Sequence, residues 1–458
     1  MKALEFLTWL VSSLRLHVRL RALPALALVG ALWSPVATAT PVITIDRGND
    51  RAVPVAVVPF RWAAGLNAPE SLDEIISFDL ARSGRFAPIA RDDMLSYPTA
   101  ADEVHFRDWR VQGTRWLVIG RLQEEAPGRF AATYELYDVL GERRVAMETL
   151  RGSKDQLRDI AHVAADAIFQ KITNIRGAFA TRMLYVLAQR LGTPNARFSL
   201  QMSDSDGARS RTLLQLNAPI MSPNWSPDAT KIAYVTFETG RSAIYLHNLG
   251  TGARERIAAF PGINSSPTFS PDGRTMAMVL SKDRVSAEIY LMDVASRRLR
   301  QLTRNTHIDT EPSWMSAGRR LVYTSNQGGK PQIYGMDVAT GLSERMTFVG
   351  DYNARPRALP DGRSITYVHR LNPSAPFNIA VLNLEDGRNS VISQTKLDES
   401  PSVAPNGTML VYATLEGGKG ILAHVSIDGR ARFRLPSAEG DVREPAWSPY
   451  LNVRSRLQ

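Results

Sequence analysis

The stretch SPTFSPDGRTMAMV, residues 266–279, places a Pro-Asp-Gly turn between two short apolar runs. Related copies are SPNWSPDATKIAYV from residue 222, EPSWMSAGRRLVYT from 311, RPRALPDGRSITYV from 355, SPSVAPNGTMLVYA from 400 and EPAWSPYL from 444. Each copy has a proline at its second position, and these anchor prolines are Pro223, Pro267, Pro312, Pro356, Pro401 and Pro445. They recur every 44 or 45 residues. A period of that length with short β-like runs predicts a β-propeller, in which each repeat supplies one four-stranded blade.

The sixth copy indicates how the ring of blades closes, because it stops after one strand. Only NVRSRLQ follows EPAWSPYL at the end of the chain. Three strand-like runs precede the first anchor proline: TRMLYVLAQ from residue 181, RFSLQMSD from 197 and SRTLLQL from 210. A blade built from both ends would pair edges that otherwise invite aggregation. We therefore expect a six-bladed, all-β propeller over residues 179–458, closed by its N- and C-terminal strands.

Residues 40–178 lack the repeat and predict a separate α/β domain, with helices on a small mixed sheet. Strand-like runs occur at 53–60, 115–122, 129–140 and 143–150. Two helices are expected, at 71–84 and 154–173. Ser71 with Glu74, and Ser153 with Gln156, have the spacing of N-terminal capping boxes.

The first 39 residues predict a signal peptide. Basic residues precede the apolar segment ALPALALVGALW, and Ala37-Thr38-Ala39 fits the small-residue pattern of a cleavage site. That segment is shorter than the ~20 apolar residues that a spanning helix needs. We therefore expect an exported protein without a membrane span, whose mature chain begins at Thr40.

Composition narrows the functional classes. The chain has 458 residues, 44% hydrophobic and 22% charged, which is ordinary for a globular protein of two domains. Its formal net charge of +10 suits nucleic acid or an acidic protein partner, and export argues against nucleic acid. The absence of cysteine excludes disulfides and thiolate chemistry.

A search for catalytic patterns finds none. The sequence has no Gly-x-Ser-x-Gly elbow, no His-Glu-x-x-His and no phosphate-binding glycine loop. Seven histidines are scattered without ligand-pair spacing, and most carboxylates fall in turns. Trp225, Trp314 and Trp447 recur at one repeat position, which indicates core packing. We predict no catalytic, cofactor or metal site.

Propeller geometry offers one candidate binding surface. Residues just before the innermost strand of each blade lie on one rim of the central channel, and rims and loops are where propellers usually bind. We call the six residues that precede the anchor prolines the channel ring: Ser222, Ser266, Glu311, Arg355, Ser400 and Glu444. Two interpretations remain open, a solvated loop surface and a partner-binding mouth.

The order of domains and several exact stretches resemble the TolB family, the periplasmic propellers of the Tol-Pal envelope system. These stretches are VVPFRW at 57–62, FETGRSAIYLHNL at 237–249, NTHIDTEPSW at 305–314, LDESPSVAPNGTMLVY at 397–412 and PAWSPYL at 445–451. The resemblance covers essentially the whole mature chain. It implies a monomeric, non-enzymatic periplasmic adaptor that supports outer-membrane integrity and constriction during cell division.

The resemblance also implies two partners. The propeller rim would bind the peptidoglycan-associated lipoprotein Pal, at positions that align with Ile263, Asn264, Ser266, Thr310 and Glu311. The ring residues Arg355, Ser400 and Glu444 complete this expected surface. The family often has histidine where Ile263 stands, so a contact that depends on histidine is in doubt here.

The mature N-terminus, residues 40–48, would bind the inner-membrane protein TolA. The residues expected to take part are Thr40, Val42, Ile43, Thr44, Ile45 and Asp46. Their alternation suits a peptide that adds itself to a sheet edge. The segment could equally be the first strand of the α/β domain, and a change between docked and free states could couple the two partners.

Two other functional classes compete with the adaptor. An exported propeller hydrolase or lyase would need a nucleophile elbow in a domain of roughly 200 residues or more, or converging histidines and acids. The roughly 140 residues outside the propeller are too few for such a hydrolase domain and contain no nucleophile elbow. A peptidoglycan-binding module stays open on the sequence alone.

Overall fold

The computed structural model describes residues 43–45, 52–62, 68–282, 286–435 and 440–457. The expected signal peptide lies outside these ranges, as do Thr40, Val42 and Asp46. No helix in the described ranges has the length and apolar character to cross a membrane. The first described strand, β1, is Ile43–Ile45.

Residues 52–62 and 68–173 fold around a mixed sheet of six strands. These are β2 (Val53–Val57), β3 (Arg61–Trp62), β4 (Phe86–Pro88), β5 (Trp116–Ala126), β6 (Arg129–Asp138) and β7 (Arg143–Ser153). The order across the sheet is β4-β2-β5-β6-β7, with β3 beside β5. β2 runs parallel to β4 and β5, whereas β5, β6 and β7 form an antiparallel meander.

Helices cover both faces of this sheet. They are α1 (Leu72–Arg82), α2 (Phe106–Val111) and α3 (Leu157–Thr173). α1 and α3 pack against each other, and their apolar sides share one buried core with β2 and β5. On the other face, α2 buries Trp109 completely. The sheet therefore has an apolar cover on each side.

Only one of the two expected capping boxes forms. The backbone N–H of Ser153 donates to the side chain of Gln156 at 2.9 Å, and the reciprocal bond is also present. At α1 the prediction is wrong, because Ser71 makes no side-chain capping hydrogen bond. The first turn of α1 closes through the backbone bond from Ile75 N to Ser71 O at 3.2 Å.

The described residues from 182 to 447 form six further sheets. The first three strands are β8 (Arg182–Gln189), β9 (Arg197–Asp204) and β10 (Arg211–Leu216). Blade one consists of β11 (Ile220–Trp225), β12 (Lys231–Thr236), β13 (Ala243–Asn248) and β14 (Arg254–Ala258). Blade two consists of β15 (Asn264–Phe269), β16 (Thr275–Leu280), β17 (Glu288–Asp293) and β18 (Leu299–Gln301). Blade three consists of β19 (Asp309–Trp314), β20 (Arg320–Ser325), β21 (Gln332–Asp337) and β22 (Ser343–Arg345). Blade four consists of β23 (Tyr352–Ala358), β24 (Ser364–Arg370), β25 (Asn378–Asn383) and β26 (Asn389–Val391). Blade five is β27 (Glu399–Val403), β28 (Met409–Glu416), β29 (Lys419–Ser426) and β30 (Ala431–Arg434), and β31 is Asp441–Trp447.

The sixth blade joins the two ends of the propeller. Its strand order is β10-β9-β8-β31, so the last strand of the chain pairs with the first strand of the ring. In the register, Trp447 lies opposite Met183 and Asp441 opposite Ala188. Each innermost strand contacts the next one around the axis, and β31 contacts β11. The predicted fold class, an α/β domain followed by a six-bladed propeller, is confirmed.

Tryptophans tie neighbouring blades together. Trp225 Nε1 donates to the carbonyl of Ala446 at 3.0 Å, which links blade one to blade six. Trp314 Nε1 donates to the Thr268 carbonyl at 3.2 Å. Trp225 and Trp447 are buried and Trp314 is partly buried, each within an apolar cluster. The prediction that these residues are core residues is confirmed.

Strand β1 lies on the propeller, away from the sheet of its neighbours in sequence. It pairs antiparallel with β30, the outer strand of blade five, with Ile43 opposite Phe433 and Ile45 opposite Ala431. Blade five therefore has five strands. The alternative that this segment is the first strand of the α/β domain is wrong.

Candidate functional site

The expected rim residues lie inside one cavity on the propeller axis. Its volume is about 440 Å³, and all six blades contribute to its wall. The wall includes all eight residues expected on the rim: Ile263, Asn264, Ser266, Thr310, Glu311, Arg355, Ser400 and Glu444. The prediction that the ring residues precede the innermost strands is wrong, because each of them lies within its innermost strand. The ring therefore lines the channel and is not an outer loop surface.

Each ring residue has an unusual backbone conformation. All six have φ between 50° and 56°, the left-handed region, although none is glycine. A register shift in each innermost strand falls at the same place, which identifies a β-bulge. A bulge bends the strand and re-aims a side chain. The left-handed conformation costs roughly 1–2 kcal/mol per residue, so the blade design accepts strain at six equivalent positions of the channel.

Opposite charges meet across the ring. Arg355 Nε lies 3.1 Å from Glu311 Oε1, and its Nη1 lies 3.0 Å from Glu444 Oε1. The same guanidinium donates to the hydroxyl of Ser400. Backbone groups add to this network, because the N–H of Arg355 donates to Glu311 Oε2 at 2.9 Å and that of Ser222 to Glu444 Oε2 at 3.3 Å. The network joins blades one, three, four, five and six.

Burial changes how these groups titrate. Desolvation alone would raise the pKa of Glu444, but the charge and hydrogen bond of Arg355 outweigh it, and the pKa falls below its usual value. The pKa of Arg355 rises above its ordinary value, because its carboxylate neighbours outweigh the effect of burial. Both groups therefore stay charged at neutral pH. The ring is a fixed pattern of charge, which suits recognition of a complementary surface.

Asn264 differs from the other expected rim residues, because its side chain holds a loop of the mouth. Its side chain is fully buried, accepts a hydrogen bond from Phe260 N at 2.9 Å and donates to Phe260 O at 2.8 Å. Asn353, at the equivalent position of blade four, donates to the carbonyl of Val349 in the same way. These amides hold the loops that form the mouth. Ile263, next to Asn264, is partly exposed on the cavity.

The second expected site, the N-terminal segment, meets the propeller beside the α/β domain. Phe433 of β30, opposite Ile43, packs edge-on against Phe78 of α1 with ring centroids 5.4 Å apart. The strand β1 is thus added to a sheet edge at the seam between the two parts of the molecule.

A buried charge cluster crosses the same seam, and sequence analysis missed it. His162 of α3 and Asp79 of α1 are fully buried, with His162 Nδ1 2.6 Å from Asp79 Oδ2. His162 Nε2 lies 3.7 Å from both Asp204 Oδ2 and Asp206 Oδ2, at the end of β9 in the sixth blade. Asp79 also pairs with Arg82 at 2.8 Å. The helical spacing of Asp79 and Arg82 was the only local signal, since the other partners are remote in sequence.

Three groups of this cluster have the arrangement of metal ligands. Atoms of His162, Asp204 and Asp206 lie within 4.8 Å of one another. However, Arg209 Nε already lies 2.8 Å from Asp204 Oδ2, and Arg158 Nη2 lies 2.5 Å from Asp206 Oδ2. Burial would lower the pKa of His162, but the aspartates raise it to about 10. A protonated histidine explains this arrangement better than a cation in competition with arginines.

Comparison with known proteins agrees with this architecture. Residues 169–451 match a family model described as the TolB beta propeller domain, and residues 41–145 match the TolB amino-terminal domain. Two similar curated relatives are named Tol-Pal system protein TolB. The protein from Pseudomonas aeruginosa is 50% identical over 422 residues, covering 92% of this chain and 97% of that protein. The protein from Alcanivorax borkumensis is 46% identical over 428 residues, covering 93% and 97%.

A solved structure is similar over nearly the same length. The crystal structure of TolB from Acinetobacter baumannii superposes with a TM-score of 0.82 at 41% sequence identity. The match covers 90% of this chain and all of that one.

Proposed function

This chain belongs to the TolB family, and from that membership we propose that it is a non-enzymatic periplasmic adaptor of the Tol-Pal cell-envelope system. The proposal is supported by relatives with that name whose length the chain matches almost completely. In this role it supports outer-membrane integrity and constriction during cell division. The catalytic alternatives have less support, because Arg355 pairs with Glu311 and Glu444, two of the carboxylates that line the channel, whereas a sugar-acting enzyme uses a pair of free ones.

The channel mouth is the proposed docking site for the peptidoglycan-associated lipoprotein Pal. The observation that carries this assignment is the ring of six strained, inward-facing residues. Strain at equivalent bulges is a property of the fold, but the charge pattern differs from blade to blade and gives the mouth a specific polarity. Ser266, Thr310 and Glu311 would touch the partner, whereas Asn264 would act by holding the mouth loop.

The N-terminal segment is the proposed site for TolA. Support comes from β1, which is attached through a three-residue ladder to one edge strand. Three residues in a ladder can exchange between the β30 edge and a partner's sheet edge at low cost. Release of β1 when the lipoprotein binds would couple the two partners.

A pull-down from periplasmic extract tests the adaptor proposal. We expect the mature protein to recover a peptidoglycan-associated lipoprotein, and Glu311→Arg to lose it, because the new cation faces Arg355. Glu344→Arg, an exposed charge reversal on β22, serves as the matched control and should recover the lipoprotein normally. Retention on murein without any lipoprotein would instead support a peptidoglycan-binding module.

Hydrogen exchange tests the coupling separately. Adding the purified lipoprotein should accelerate exchange of the amides in residues 40–48, while the amides of β28 stay protected. Unchanged exchange in residues 40–48 would contradict the coupling but leave lipoprotein binding intact.

A further inference from the structure

One channel position breaks the internal symmetry of the propeller. The residue that follows the anchor proline is short or small in five blades: Asn224, Thr268, Ser313, Ser402 and Ala446. Three of these side chains accept a hydrogen bond from the backbone of the next blade. The bonds run from Phe269 N to the Asn224 side-chain oxygen at 3.1 Å, from Ala358 N to Ser313 Oγ at 3.3 Å and from Trp447 N to Ser402 Oγ at 2.8 Å. In blade four the position is Arg357.

Arg357 has donors without acceptors. It lines the channel and is partly buried, and its one described hydrogen bond runs from Nη1 to the Pro356 carbonyl at 2.9 Å. In the described part of the chain no carboxylate forms an ion pair with it, and the channel carboxylates Glu311 and Glu444 both contact Arg355. Burial and the charge of Arg355 lower the pKa of Arg357, although Glu311 and Glu444 oppose the change.

The chemistry of this group specifies its ligand. A guanidinium has five N–H donors in a planar fork, which matches the two oxygens of a carboxylate. A partly desolvated cation with open donors costs free energy unless an anion completes it. The surrounding wall includes Met221, Phe237 and Ile263, so an apolar body attached to the anion also finds contacts.

We propose that Arg357 is a carboxylate-binding subsite in the propeller channel. The carboxylate enters through the mouth, passes the ring and pairs with the Arg357 guanidinium. It belongs either to a free organic acid or to an acidic side chain of a peptide that reaches into the channel. The subsite does not depend on the identity of the protein docked at the mouth.

A heavy-atom carboxylate locates the subsite directly. Crystals of the mature protein are grown with 4-bromobenzoate, and bromine is located by anomalous diffraction. We expect bromine density in the channel with the carboxylate directed at Arg357. Absence of channel density at the solubility limit, or equal occupancy in Arg357→Gln crystals, overturns the proposal.

Titration in solution supplies the affinity and the source of the carboxylate. We expect Arg357→Gln to weaken 4-bromobenzoate binding at least about tenfold, and Arg363→Gln, an exposed arginine of the same blade, to leave it unchanged. Arg357→Lys, a second variant that keeps the charge, should lose part of the affinity, since lysine lacks the fork. A capped Gly-Glu-Gly peptide that binds and loses affinity on Glu→Gln exchange indicates a peptide source, whereas binding of the free acid alone indicates a small acid. Equal affinity of the wild type and Arg357→Gln for every probe overturns the subsite.

Discussion

His162 should make the stability of this protein fall at alkaline pH. The side chain is fully buried between α1, α3 and the end of β9, with one nitrogen on Asp79 and the other facing Asp204 and Asp206. The perturbation is His162→Gln, which keeps a polar side chain of similar size but removes the titrating charge. The variant tests whether the seam between the two parts of the molecule depends on a proton.

The size of the stability loss follows from the difference between the pKa of His162 in the folded protein and its pKa in the unfolded chain. The pKa of His162 is about 10 in the folded protein, compared with about 6.5 in an unfolded chain. Because the folded state holds the proton more tightly, the stabilisation is complete below about pH 6.5 and is lost as pH rises towards 10. One pKa unit corresponds to about 1.4 kcal/mol, so roughly 3 kcal/mol should disappear between about pH 6 and pH 9.

Urea unfolding, followed by tryptophan fluorescence, measures this loss. The free energy of unfolding is determined at about pH 6 and pH 9 for the wild type, His162→Gln and His105→Gln, a control at an exposed histidine. Burial also raises the pKa of Asp166 to about 7, so Asp166 adds a slope of its own to every variant. The difference between wild type and His162→Gln gives the contribution of the histidine together with its effect on the pKa values of Asp166, Asp204 and Asp206.

The change in the free energy of unfolding between about pH 6 and pH 9 tests whether His162 is protonated in the folded protein. We expect the wild type and His105→Gln to lose about 3 kcal/mol more than His162→Gln over that interval. Parallel pH profiles for all three proteins would refute the reasoning, because they would show that His162 is neutral in the folded state.

Three further substitutions test separate parts of the fold by thermal or urea unfolding. Trp447→Ala should cost about 4 kcal/mol, since it removes a buried ring and its bond to Thr181, and a cost below 1 kcal/mol would contradict closure through the sixth blade. Ser153→Ala should cost about 1 kcal/mol by removing the α3 capping box, whereas an unchanged midpoint would show that the box contributes nothing. Gly262→Ala should cost about 2 kcal/mol, because φ is 81° there and a Cβ atom would lie 2.4 Å from the Ser281 carbonyl; a neutral result would show that the mouth loop is free to move.

The sequence predicted the propeller because its repeat is periodic over five intervals. The incomplete sixth copy pointed to strands before the first anchor proline, since an isolated strand leaves its hydrogen bonds unpaired. These inferences need only local patterns and chain connectivity. The helices were predictable for the same reason, although Ser71 shows that cap spacing alone does not ensure a cap bond.

The conformation of the channel ring was not predictable from residue type. A residue before proline favours extended backbone, and serine, glutamate and arginine rarely adopt a positive φ. The packing of six innermost strands around one axis imposes the bulge. The sequence did contain one overlooked signal, because Glu311, Arg355 and Glu444 carry charges of opposite sign at the position before the anchor proline.

Contacts between distant parts of the chain also could not be predicted from the sequence. Pairing of β1 with β30 joins residues 43–45 to residues 431–433, and no periodicity connects them. The charges around His162 come from α1, α3 and the end of β9, so only the packing of the two parts brings them together. Long-range polar contacts of this kind carry no pattern in a single sequence.

The affinity of the peptidoglycan-associated lipoprotein for two serine variants tests the central claim, that the channel ring is the docking site. Ser266→Arg places a long cation in the mouth without removing an ion pair, and Ser390→Arg makes the same change on the exposed outer strand β26. Isothermal titration with the purified lipoprotein should show at least about 30-fold weaker binding for Ser266→Arg, the size expected for a central interface residue. Ser390→Arg should bind like the wild type. Unchanged affinity of Ser266→Arg, or equal weakening in both variants, would contradict docking at the ring.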